Sequence, residues 1–96
     1  MTEAGLVNGR LSGAISFDNA NALHAQGVAA IEGATAEPVV FDLSGVDATN
    51  SVTVALMMAW FRAADQAGKR VAFEGISSDL HKIIEFSGLS ELLLGE

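Results

Sequence analysis

Cysteine and tyrosine are absent from this chain, and proline and tryptophan each occur once. Without cysteine there is no disulfide framework and no thiolate metal site, which suits a reducing compartment. Basic residues are scarce: five Lys and Arg stand against twelve Asp and Glu, for a net charge of −7. That balance argues against nucleic acid, whose phosphates would be repelled, and against simple adsorption to anionic lipid. No apolar run approaches the ~20 residues that span a bilayer. Met1-Thr2-Glu3-Ala4 lacks the basic start and apolar core of a signal peptide. The expectation is a soluble, acidic, cytoplasmic protein.

Catalytic signatures are missing too. His24 and His81 fall on separate predicted helices, with no carboxylate or second histidine at metal-ligand spacing, and read as ordinary histidines. Asp42 and Asp47 flank a predicted strand-to-helix turn, where a strand-end residue and a turn-former explain them better than an acid–base pair. The glycines form neither a dinucleotide fingerprint nor a phosphate loop, and no serine sits in a Gly-x-Ser-x-Gly elbow. Neither an enzyme nor a cofactor or metal site is expected.

What the chain does have is apolar substance. Half of its 96 residues are hydrophobic, enough for one domain over residues 1–96 that buries roughly two-thirds of its unfolded surface. Asn8-Gly9 between Leu6-Val7 and Arg10-Leu11 predicts a hairpin. A helix capped by Ser16 or Asp18 runs to about Glu32, with Ala20, Leu23, Ala30 and Ile31 on its buried side. Val39-Val40-Phe41-Asp42-Leu43 reads as a strand covered on both faces. Ser44-Gly45-Val46-Asp47 is expected to turn into a central helix that stops at Gly68. The strand Val71-Ala72-Phe73, a helix over 79–86 capped by Ser77 or Ser78, and a last short turn from Ser90 complete the order. Strands alternating with helices through short loops predict an α/β fold: a small mixed sheet, hairpin plus parallel strands, with four helices.

The central helix carries the most information. Its polar stripe, counted at about 100° per residue, centres on Arg62, Asp65 and Gln66. Traced toward the N-terminus, that stripe passes through Met58, Val54, Ala55 and Ser51, so the solvent side of the first two turns is apolar with a serine at its tip. Such a surface suggests docking rather than catalysis. Asn50 or Ser51 caps the helix, and a hydroxyl at a helix N-terminus is a favourable place for a phosphate. Trp60 and Phe61 fall toward the core.

Arg10-Leu11-Ser12-Gly13, the run from Val39 to Val46, Ser51 at the helix start, the run from Gly68 to Ile76 and Ile84-Glu85-Phe86-Ser87-Gly88-Leu89 together resemble the STAS domain of anti-sigma factor antagonists. The compact length and the block from Asn50 to Trp60 look most like the MlaB-type branch. That resemblance implies a non-enzymatic accessory subunit of an ABC transporter that moves phospholipid for outer-membrane lipid asymmetry. It would be held at the inner membrane through the cytoplasmic ATPase subunit, neither inserting into the membrane nor contacting nucleic acid. The implied contact residues are Asn50, Ser51, Val52, Thr53, Val54 and Met58, and a homodimer could form through the same face when the partner is absent.

In the sigma-regulating branch the helix starts Asp-Ser-Ser-Gly and its first serine is phosphorylated. Here Asn50 replaces the aspartate, Ser51 matches the phosphoacceptor, and Val52-Thr53 replace Ser-Gly, crowding a kinase's approach. An anti-sigma factor antagonist switched by phosphorylation of Ser51 is therefore the alternative.

Overall fold

Asn8 and Gly9 both take positive φ, 52° and 82°, the backbone of a two-residue hairpin turn whose twist matches the strands that it joins. They connect β1 (Gly5–Val7) to β2 (Arg10–Ala14) in antiparallel register, with Leu6 opposite Leu11. This computed structural model describes residues 5–35, 37–48 and 50–95. After the hairpin come α1 (Phe17–Gly33), β3 (Val39–Ala48), α2 (Ser51–Gln66), β4 (Val71–Glu74), α3 (Ser78–Phe86) and α4 (Ser90–Leu94). The N-terminal tetrapeptide read for a targeting signal lies outside the described residues.

The strands lie in the order β1-β2-β3-β4, with β2–β3 and β3–β4 parallel. The expected hairpin-plus-parallel sheet with four helices is thus the architecture observed. Local chemistry starts the helices where anticipated. Ser16 caps α1 in a reciprocal capping box with Asn19, and Ser77 caps α3 by accepting the Leu80 N–H at 3.1 Å.

Two expectations need correction. The segment 44–47 is not a turn: β3 continues through it to Ala48 because β2 extends alongside, pairing Ser12 with Gly45 and Ala14 with Ala48. Gly45 serves this close approach, since a Cβ there would stand 3.0 Å from Ser12 Cβ. Nor is β3 covered on both faces. Val39, Phe41 and Leu43 are buried while Val40 and Ser44 are exposed, the alternation of a strand with one solvated face. Successive right-handed crossovers stepping in one direction across the sheet put α1 and α2 on the same side.

On the covered face the core gathers around Trp60, whose ring lies 4.7 Å from that of Phe41. Leu11, Leu23, Ile31, Met57, Leu80 and Ile84 close around them, each at most 1% exposed. The indole reaches across to α1, where its Nε1–H donates to the His24 carbonyl at 3.2 Å. Gly27 permits this: a Cβ there would fall 1.9 Å from Trp60 Nε1. At the far end of α1, the Lys69 ammonium donates to the carbonyls of Ile31, Glu32 and Ala34 at 2.7, 3.1 and 3.0 Å, which satisfies orphan groups of the helix C-terminus.

Alanine in place of glycine inside a helix normally stabilises by up to ~1 kcal/mol. Gly27→Ala is instead expected to destabilise by about 2–3 kcal/mol through overpacking, read as a lower urea midpoint by Trp60 fluorescence. A midpoint at or above the parent's would contradict the contact.

Candidate functional site: a groove between the first turns of two helices

Because β2 and β3 are adjacent and parallel, the helices that follow them begin at the same end of the sheet. In open α/β sheets this edge collects functional surfaces. Here the first turns of α1 and α2 stand side by side and leave between them a groove of about 340 Å³. Phe17, Ala20, Asn21 and His24 line it from α1, spaced as one helical face. Ser51, Val52, Ala55, Leu56 and Ala59 line it from α2.

The lining combines a hydroxyl, an amide and an imidazole with small or apolar side chains, and among the described residues contains no acidic or basic residue other than His24. Phe17 is 85% exposed at the rim, held at the first position of α1 by the Ser16 cap. Three alanines make the floor shallow, which admits a bulky side chain from outside. The arrangement suits apolar contact with another protein, with Ser51 and Asn21 offering hydrogen bonds.

Of the residues expected at the contact, Ser51 and Val52 line the groove, Ser51 exposed and Val52 half-buried. Met58 is half-buried on the outward ridge of α2, almost in line with Ser51 and Arg62 on the helical wheel, and does not line the groove. Asn50 is the N-cap: its Oδ1 accepts the Thr53 N–H at 3.1 Å.

Thr53 and Val54, also expected at the contact, are buried within the domain, 0% and 5% exposed. The physical reason is that α2 is flanked on both sides, by α1 on one and by α3 and α4 on the other. The buried arc is therefore wider than the polar stripe implied. Trp60 is fully buried, as expected, and Phe61 half-buried.

The α1 wall went unread in the sequence, although a signal exists. Phe17 lies off the Leu23–Gly27–Ile31 line that the helix buries, and with Ala20 one turn on it begins a second apolar strip, the contiguous kind that marks a surface with a use.

The residues considered for catalysis do not assemble. Asp42 Oδ1 accepts the Ser44 N–H at 2.9 Å, and this bond holds its carboxyl below the ordinary carboxylate range. A general acid needs the opposite shift. The Asp47 side chain lies outside the described residues. His81 Nδ1 sits 2.7 Å from Glu85 one turn along α3, while His24 faces the groove. Among the described residues no group of three or more His, Cys, Asp or Glu is placed to hold a metal ion.

Residues 8–95 match the family model described as Mlab, STAS domain. The chain belongs to that STAS-domain family. Among solved structures it is similar to a chain of the Acinetobacter MlaFEDB complex in its ATP-bound Vtrans2 conformation. The two share 30% sequence identity and a TM-score of 0.79, over 96% of this chain and 97% of that one. No curated protein matches. In this STAS domain no helix among the described residues is long and apolar enough to cross a membrane.

On the core side of α2, Thr53 Oγ1 is buried without a hydrogen-bond partner among the described residues. A buried unsatisfied hydroxyl costs free energy that an isosteric methyl does not. Thr53→Val is therefore expected to stabilise the domain by about 1 kcal/mol, measured as a raised denaturant midpoint. A lowered midpoint would show that the hydroxyl is satisfied.

Proposed function

We propose that this STAS domain is a non-enzymatic accessory subunit that docks on the ATPase subunit of an ABC transporter moving phospholipid for outer-membrane lipid asymmetry. The observation that carries this reading is the apolar groove at the α1 and α2 N-termini, exposed on a chain whose fold is matched over nearly its whole length inside a multi-subunit, ATP-bound complex. Phe17, Val52 and the alanine floor supply apolar area, while Ser51 and Asn21 supply polar contacts. Met58 extends the contact along the outward ridge, and Asn50 shapes it from within. Burying side chains of the size of Phe17 or Met58 contributes roughly 1.5–3 kcal/mol each.

In this reading the domain reaches the inner membrane through its partner, touches neither lipid nor ATP, and supports assembly and activity of the ATPase. Without the partner, the same face supports a homodimer, since an apolar patch left open favours self-association.

Ala55 tests the reading cleanly because it is exposed and lines the groove, so that a carboxylate there stays in contact with water. Ala55→Asp is expected to abolish co-purification of the ATPase subunit from detergent-solubilised membranes while circular dichroism keeps its native form. Undiminished recovery of that subunit would overturn the groove as the docking surface.

A further inference from the structure

The two walls of the groove are joined by one side chain. Asn50 Oδ1 caps α2 by accepting the Thr53 N–H, while its Nδ2–H donates to the Ile15 carbonyl at 3.1 Å. Ile15 immediately precedes Ser16, the N-cap of α1. On the α1 side, Asn19 mirrors the arrangement: its Nδ2–H donates to the Ala14 carbonyl at 2.9 Å and its Oδ1 accepts the Ser16 N–H at 2.9 Å. The short junction between β2 and α1 thus has its two successive carbonyls taken by asparagine amides, one from each helix.

We propose that Asn50 is a positioning residue that fixes the spacing of the groove by tying the N-terminus of α2 to that of α1, rather than a contact residue in its own right. The inference rests on the docking reading for its functional consequence, but the tie itself is a property of the free domain. The choice of asparagine follows from the geometry. A cap needs only an acceptor, which aspartate or serine supplies equally well. The second bond needs a donor at the same time, and an ionised aspartate has none while a serine hydroxyl is too short to span both partners. Where the sigma-regulating pattern carries aspartate, this chain carries the one common capping residue, asparagine, whose amide can cap and tie at once.

Asn50→Asp separates the two roles, because it keeps the cap, with a charge favoured at a helix N-terminus, and replaces the donor by an oxygen that the Ile15 carbonyl repels. In the free domain its thermal midpoint is expected to fall by about 4–8 °C, the loss of one net hydrogen bond in a domain of this size. Amides of residues 16–20 at the start of α1 should exchange about fivefold faster, as expected for the loss of one net hydrogen bond. Binding to the purified ATPase subunit should weaken by about fivefold as the pre-set groove is lost. Asn50→Ser, which also caps without reaching Ile15, is expected to behave alike.

Faster exchange confined to the first turn of α2 would overturn the proposal, since it would show a cap and no tie. So would unchanged binding by Asn50→Asp under conditions where Ala55→Asp binds no ATPase subunit. If Ala55→Asp itself binds normally, the docking reading fails, and the exchange of residues 16–20 still decides the tie.

Discussion

The close approach of Gly27 to Trp60 is the constraint on which the molecule depends. A glycine at this one position of α1 lets the indole of α2 lie against the α1 backbone and donate to the His24 carbonyl. The same indole packs on Phe41 in the middle of β3, so a single side chain joins both helices to the sheet. With any larger residue at 27 the two helices would stand further apart. The groove at their N-terminal ends would then widen or change shape.

From that contact the functional surface follows in steps. Parallel β2 and β3 deliver both helices to one end of the sheet. Trp60 sets their separation midway along, and Asn50 ties them at their starts. What lies between is a shallow groove floored by alanines and rimmed by Phe17, held by packing and hydrogen bonds rather than by charge. Among the described residues none of the acidic side chains behind the net charge of −7 lines the groove, so none of them need be desolvated by an incoming surface. The chain that carries this groove belongs to the Mlab STAS-domain family and is similar to a chain of the MlaFEDB complex.

Much of this was legible in the residues. Asn8-Gly9, Ser16, Asn50 and Ser77 act locally, through turn and cap chemistry, and each appears where local chemistry puts it. The extent of β3 was less legible, because Ser44-Gly45-Val46-Asp47 has turn composition and only pairing with β2 makes it a strand. The burial of Thr53 and Val54 was illegible for a related reason. One helix's periodicity cannot show that a second pair of helices covers its other flank. The α1 wall was missed because a groove belongs to two elements, and the pattern of either alone shows only half of it.

The most direct test places a photo-crosslinking amino acid in the groove, at Asn21, in the native host. A second copy of the experiment places it at Phe86, which is 95% exposed on α3. Docking through the groove requires that the Asn21 probe form an adduct with the ATPase subunit of an ABC transporter while the Phe86 probe does not. An ATPase adduct from Phe86 alone, or adducts from Asn21 only with a kinase of the soluble fraction, would contradict it.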